Sequence, residues 1–231
     1  MKLEFEIKKN DDYSRARRGV LKTNHCDIET PVFCPVGTQA TVKTLSAPEI
    51  KAEGAQVILN NAFHLYLRPG LDVIKAFKGT HNFQSWDRAI ITDSGGFQIF
   101  SLSGLSKLTE EGAKFQSPYD GSYHFISPER AIEIQLILGS DIMMSFDECL
   151  QYPANYSDTK KSLELTLKWA QRGRDFWAQY LNEHEGNGGA IYGVVQGGFF
   201  NDLRKECIER MLPMDFPGFA LGGMSVGEPK N

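Results

Sequence analysis

Short apolar runs recur along this chain, and each stops at a polar residue or a glycine. Gln56-Val57-Ile58-Leu59 ends in Asn60-Asn61, and Ala89-Ile90-Ile91-Thr92 ends in Asp93. The stretch from Asp141 to Phe146 ends in Asp147, Ala190 to Val195 in Gln196, and Gly218 to Leu221 in Gly222-Gly223. Apolar runs of this length, without alternation, read as parallel strands buried on both faces. Helical segments lie between them. Ser46-Ala47-Pro48-Glu49 opens a short helix, with Ser46 as N-cap and Pro48 in the first turn. Residues 70–77 form another. Ser127-Pro128-Glu129 starts one that closes at Leu138-Gly139. Ser157 starts a long helix with Leu163, Leu167, Ala170, Trp177 and Leu181 on one face. Residues 201–211 form the last.

Strand and helix in alternation predict an α/β fold with a parallel sheet. The start differs. Lys2 to Lys9 alternates apolar and charged residues, and Thr23-Asn24-His25 turns the chain into a second strand ending near Phe33, so an antiparallel β-hairpin is expected there. With a strand near Val32–Val36, roughly six parallel strands are counted where a closed (β/α)8 TIM barrel has eight. The predicted fold is therefore an incomplete barrel, one domain over residues 1–231. Residues 1–40 supply the antiparallel strands and first barrel strand, and 41–231 the β/α repeats. A doubly wound open sheet is the alternative, and it needs no missing strands.

Composition narrows the function. The chain has 231 residues, 41% hydrophobic, with net charge −4. No apolar run reaches membrane-span length, and Met1 to Glu6 has no apolar h-region. Cys26, Cys34, Cys149 and Cys207 are not at metal-ligand spacing, so neither a zinc site nor a disulfide framework is predicted from them. A cytoplasmic setting and no metal in this chain are the expectations. Net acidity disfavours a nucleic-acid coat protein but is compatible with a local basic face.

In α/β folds functional groups collect at the carboxyl ends of strands, which directs attention to Asn61, Asp93, Asp147, Gln196 and Gly223. Thr92-Asp93-Ser94-Gly95-Gly96-Phe97-Gln98 is the densest of these segments. A carboxylate at such a mouth acts as a base, binds a metal, accepts hydrogen bonds from a ligand, or caps a neighbouring turn. The set is more informative than its members. Asp147 offers acceptors, Gln196 both a donor and an acceptor, and Gly223 a bare N–H. Guanine presents N1–H and N2–H₂ as donors and O6 as acceptor, which pairs with that set; Phe97 offers a stacking face. His64, among apolar neighbours, reads as a structural histidine, and Cys149 as a buried small side chain. Arg172 and Arg174 read as a solvated helix face.

The chain resembles the tRNA-guanine transglycosylase (queuine tRNA-ribosyltransferase) family. The matching segments run in family order from Thr30-Pro31-Val32-Phe33-Cys34-Pro35-Val36-Gly37-Thr38 through Asn61-Ala62-Phe63-His64-Leu65-Tyr66-Leu67-Arg68-Pro69-Gly70 and the Asp93 segment to Ser145-Phe146-Asp147-Glu148-Cys149, Gln196-Gly197 and Gly222-Gly223-Met224-Ser225-Val226-Gly227-Glu228. The resemblance implies a (β/α)8 barrel that exchanges guanine at the tRNA wobble position for a 7-deazaguanine through a covalent intermediate. Its implied partners are the tRNA anticodon loop and the 7-deazaguanine base. It assigns general acid/base work to Asp93, oriented by Asn61 and Gln98 with Ser94 in support. It assigns stacking to Phe97, base recognition to Asp147, Gln196 and Gly223, and contact with an aminomethyl group to the carbonyl of Met224. Cys149 and Val226 match the bacterial form, which takes 7-aminomethyl-7-deazaguanine.

In the family the nucleophilic aspartate and a Cys/His zinc subdomain follow the Gly-Gly-x-x-Val-Gly-Glu segment. The expectation is an N-terminal portion of a bacterial enzyme, with the base pocket but no nucleophile, no zinc and no turnover alone. It would associate with a second copy or a complementary C-terminal fragment. A non-catalytic base- or partner-binding subunit is the alternative. A metal aldolase fits less well, because no His or Cys set in the sequence supports a metal.

Overall fold

The computed structural model describes residues 3–102 and 106–229. The chain forms two compact units. One comprises Met1–Asp93, Ile134–Met143 and Gly186–Ala190; the other comprises Ser94–Glu133, Met144–Glu185 and Ile191–Asn231.

The first unit begins with β1 (Glu4–Asn10), β2 (Arg17–Lys22) and β3 (Asp27–Thr30), an antiparallel sheet in that order. The expected hairpin is thus a three-stranded sheet. Lys2, placed in its first strand from the sequence, lies outside the described residues. Next come β4 (Val36–Gly37), α1 (Ala47–Ala52), β5 (Val57–Asn60), α2 (Ala62–Leu65), α3 (Leu71–Ala76), α4 (Thr80–Phe83) and β6 (Ala89–Thr92). The first parallel strand is shorter than Val32–Val36 suggested. The predicted cap of α1 is present: the Ser46 N–H donates to the Glu49 carboxylate at 2.7 Å.

Ile50, Ile58, Trp86 and Ile90 form one core cluster, and Ile28, Val57 and Ala89 another that seats the antiparallel sheet on the parallel strands. The Trp86 indole N–H donates to the Ala89 carbonyl at 3.0 Å, so the large ring is buried without stranding its donor.

The second unit contains α5 (Gly96–Leu102), then β7 (Ser106–Thr109), β8 (Gly112–Gln116) and β9 (Tyr123–Ile126) as an antiparallel sheet, and α6 (Pro128–Leu138), which continues into the first unit. After β10 (Ile142–Met144) come α7 (Tyr156–Glu183), β11 (Ala190–Val195), α8 (Asn201–Met211) and β12 (Gly218–Leu221). Leu163, Leu167, Ala170, Trp177 and Leu181 are all buried, as the period of α7 predicts. Its N-cap is Asn155 rather than Ser157: the Asn155 side chain accepts the Asp158 N–H at 2.9 Å. Arg172 and Arg174 are not a solvated face. Arg172 bonds both Glu129 oxygens, from Nε at 2.7 Å and Nη2 at 2.8 Å, and Arg174 pairs with Asp215 at 3.5 Å. Helix period alone does not reveal partners on other elements.

Among the described residues the main sheet has six strands in the order β12-β11-β10-β6-β5-β4, with parallel pairing of β4 with β5, β5 with β6, β6 with β10, and β11 with β12. The fold is α/β, with the antiparallel sheet at its N-terminus. No helix among the described residues is long and apolar enough to cross a membrane.

At the amino ends of β6 and β10, Asp141 is a buried junction. One carboxylate oxygen lies 2.7 Å from His25 Nδ1; the other accepts the Ile90 N–H at 2.9 Å and lies 3.4 Å from His81 Nε2. The two imidazoles stack 3.6 Å apart, nearly parallel. These three side chains could meet a metal ion by spacing. Parallel stacked rings, however, cannot both hold one ion in their planes, so the cluster reads as a clasp. Burial raises the Asp141 pKa, but bonds from His81, His25 and the Ile90 N–H outweigh it, and the net shift is downward. A depressed folded pKa means that this stabilisation is complete above the unfolded value and is lost as pH falls through the folded one. Asp141→Asn should cost about 1–3 kcal/mol at pH 7. It should also flatten the acid limb of a urea-midpoint against pH plot; an unchanged acid limb would contradict the clasp.

Candidate base-recognition site

Asp93 leaves the end of β6. Its Oδ1 accepts the Ala62 N–H, the first of α2, at 2.8 Å, and its Oδ2 accepts from the Asn61 side-chain amide. Its own N–H donates to the Asn60 carbonyl at 3.3 Å. The Asp93 carboxylate therefore caps the turn into α2 and is bonded to the Asn61 amide.

In the second unit Asp147 follows β10. Ser94 Oγ donates to Asp147 Oδ1 at 2.7 Å, and Gln196 Nε2 donates to Oδ2 at 2.7 Å. Asp147 is only 7% exposed and Gln196 only 4%. Burial pushes the Asp147 pKa up, and the bonds from Ser94 and Gln196 oppose that without reversing it. A carboxylate has about four acceptor positions. Two are taken, which leaves acceptor capacity for a ligand.

The backbone is pinned on both sides of this carboxylate. The Glu148 N–H donates to Thr166 Oγ1 at 3.1 Å, and Ser162 Oγ donates to the Glu148 carbonyl at 3.0 Å, so α7 holds the loop. Gly96 packs beneath it: a Cβ there would sit 2.3 Å from the Asp147 carbonyl oxygen.

Gln196 lies against Gly222-Gly223. A Cβ on Gly222 would fall 2.6 Å from Gln196 Nε2, and one on Gly223, whose φ is +66°, 2.6 Å from Gln196 Oε1. Glycine is required at both places by contact, and at Gly223 by backbone conformation as well. Cys149 is buried as expected. Its thiol is pushed up to about 11 by burial and the nearby Asp147 charge, against weaker opposing bonds from Gln196 and the Gly223 N–H. It is no nucleophile at neutral pH.

A cavity of about 250 Å³ is lined by Gln196, Gly223, Val226, Tyr152, Phe199 and Thr159, among others. The Val226 carbonyl accepts the Tyr152 N–H at 3.1 Å. Phe97 on α5 is 43% exposed and Met224 is 56% exposed, so both offer surface to a ligand. Gln98 also lies on α5.

Two groupings thus emerge: Asp93 with Asn61, and Asp147 with Ser94, Gln196, Cys149 and Gly223. Sequence reasoning missed two residues around the second. Glu228 accepts the Ser225 and Val226 N–H groups at 2.5 and 2.7 Å and so shapes the loop after Gly223. Its place just after a glycine-rich turn was an available signal. Arg204, whose side chain bonds the Gly198 and Gly222 carbonyls at 2.7 and 3.0 Å, left no such trace.

A sequence model described as queuine tRNA-ribosyltransferase matches residues 11–231. The queuine tRNA-ribosyltransferase of Thermoanaerobacter pseudethanolicus is 57% identical over 229 residues, 99% of this chain and 60% of that protein. Those of Halothermothrix orenii and Psychrobacter cryohalolentis are 50% and 52% identical over 230 and 219 residues, covering 100% and 94% of this chain and 60% and 55% of theirs. The chain spans about 60% of the length of the curated relatives it matches. Over that span it belongs to the queuine tRNA-ribosyltransferase family.

Proposed function

We propose that these residues form the guanine-reading part of a tRNA-guanine transglycosylase. The observation that supports it most is the Ser94–Asp147–Gln196 hydrogen-bonded set beside Gly223. A guanine seated there donates N1–H and N2–H₂ to the Asp147 carboxylate. Its O6 accepts from the second Gln196 amide hydrogen and from the Gly223 N–H. Phe97 stacks on the ring, and the Met224 carbonyl faces the aminomethyl group of 7-aminomethyl-7-deazaguanine. Cys149 and Val226 bound the space for that group.

The whole protein then exchanges the wobble guanine of tRNA for this base in the cytoplasm, within a closed (β/α)8 barrel, as a step of queuosine biosynthesis. An aspartate on a segment after Glu228 bonds to the ribose C1′ as the C1′–N9 bond breaks. The electron pair leaves with guanine, and Asp93, held by Asn61 with Gln98 in support, supplies the proton. The incoming base gives a proton back to Asp93 and displaces the aspartate. The described residues do not fit the family's zinc set: their one group at metal-ligating distance is His25, His81 and Asp141, without a cysteine. No step runs through zinc. The tRNA anticodon loop, and a second copy or a C-terminal complement, are the proposed partners.

Calorimetric titration with guanine and 7-aminomethyl-7-deazaguanine tests this reading. Both should bind. A chain that binds a protein partner but neither base would be an accessory subunit, and the reading would fail.

A further inference from the structure

Among the described residues the side-chain hydrogen bonds of Arg204, near the start of α8, all go to backbone carbonyls. Nε donates to Gly198 at 2.7 Å, and Nη2 donates to Gly222 at 3.0 Å and more weakly to Gly223 at 3.5 Å. One side chain therefore ties the loop after Gln196 to the loop that carries Gly223. The loop after Gln196 is further wedged from below, since a Cβ on Gly197 would meet the Arg204 backbone nitrogen at 2.6 Å. Among the described residues no carboxylate pairs with Arg204; its charge falls on these peptides and, at longer range, on the Cys149 and Cys207 thiols.

The Gly222 carbonyl and the Gly223 N–H belong to one peptide unit. A trans peptide is planar, with its C=O and N–H pointing in opposite directions. A guanidinium on the carbonyl therefore fixes the peptide plane and aims the N–H away from Arg204. That N–H now faces the Cys149 sulfur, on the Asp147 loop. Sulfur is a weak acceptor, so a carbonyl oxygen arriving there gains a donor that is poorly engaged. A cation on the oxygen also draws charge through the amide and strengthens the N–H as a donor, since hydrogen bonds in series polarise one another.

We propose that Arg204 is a positioning and specificity residue. Through the Gly222–Gly223 peptide it presents a polarised N–H to the O6 of a 6-oxopurine, and so selects for a strong acceptor at that position. This rests on the base pocket proposed above.

The test pairs guanine with 6-thioguanine, which keeps N1–H and N2–H₂ but carries sulfur, a poorer acceptor, in place of O6. Wild-type chain should prefer guanine. Arg204→Gln should weaken guanine roughly tenfold, the share of one charge-assisted bond, and 6-thioguanine much less. Arg204→Lys should restore part of the preference, because an ammonium holds one carbonyl but not both loops. Equal weakening of the two bases would make Arg204 a general brace and overturn the proposal, as would an unchanged preference in Arg204→Gln. A second readout needs no variant: in ¹⁵N-glycine-labelled wild-type chain the Gly223 amide proton should shift downfield with guanine and less with 6-thioguanine. An unmoved Gly223 amide overturns the proposal even if both variants fail to fold. If wild type binds no guanine, or Asp147→Ala binds it normally, the base pocket itself is wrong and this role falls with it.

Discussion

Asp147→Asn should abolish guanine binding while leaving the fold intact. The ionised carboxylate accepts two ligand N–H groups, each a hydrogen bond to a charged partner worth about 1.5–3 kcal/mol. An amide turns one acceptor into a donor that faces the N1–H or N2–H₂ of the base. The combined loss is on the order of a thousandfold in affinity, since about 1.4 kcal/mol is tenfold. Stability should behave differently. Burial already disfavours charge at this position, and a neutral amide removes that cost, so the urea midpoint at pH 7 should hold or rise.

The pH dependence separates the same two effects. Binding needs the carboxylate, so affinity in the wild type should fall as pH drops through a value above the ordinary aspartate range. Between the unfolded and the raised folded pKa, the native state holds more protons than the unfolded one. The contribution of Asp147 to stability therefore falls as pH rises across that window. In Asp147→Asn this contribution disappears. Retained guanine affinity in that variant, measured by calorimetry at pH 7, would refute base recognition by this residue.

Trp169→Ala should give the largest loss of stability, about 3–5 kcal/mol, the usual range for an aromatic removed from a core. Trp169 is 1% exposed. Its ring stacks on Phe146 at 4.6 Å, and its indole N–H donates to the Glu110 carbonyl at 3.0 Å. Phe146 immediately precedes Asp147, so the indole supports the carboxylate loop from behind. Trp169→Phe keeps a ring against Phe146 but leaves the Glu110 carbonyl without this donor, and should cost only about 1–2 kcal/mol. Urea unfolding of the two variants checks the order. Guanine affinity should survive in Trp169→Phe and fall in Trp169→Ala. Equal destabilisation by both would show that the hydrogen bond, rather than the stacked ring, carries the contribution.

Much of the fold is legible without coordinates. Residues 190–195, 201–211 and 218–221 were read as the elements observed there, because each is a long periodic or uniformly apolar segment between clear stop signals. Strands β7, β8 and β9 were not anticipated. Lys107 and Lys114 interrupt them, and Tyr123 and Phe125 are exposed, so no clean apolar alternation marks them. The cap at Asn155 was assigned two residues late because Ser157 offers the same capping chemistry. The Arg172–Glu129 pair was missed because its members are 43 positions apart.

The candidate site divides along the same line. Which residues stand at the ends of apolar strands is written in the order of amino acids, because a buried strand must be apolar until it emerges: hence Asn61, Asp93, Asp147, Gln196 and Gly223. Which of them touch is settled by long-range packing. Asp147 meets Ser94 and Gln196 across 53 and 49 positions, and Arg204 reaches Gly222 across 18. Such bonds form wherever packing brings a donor within about 3 Å of an acceptor, and local propensity carries no record of that distance.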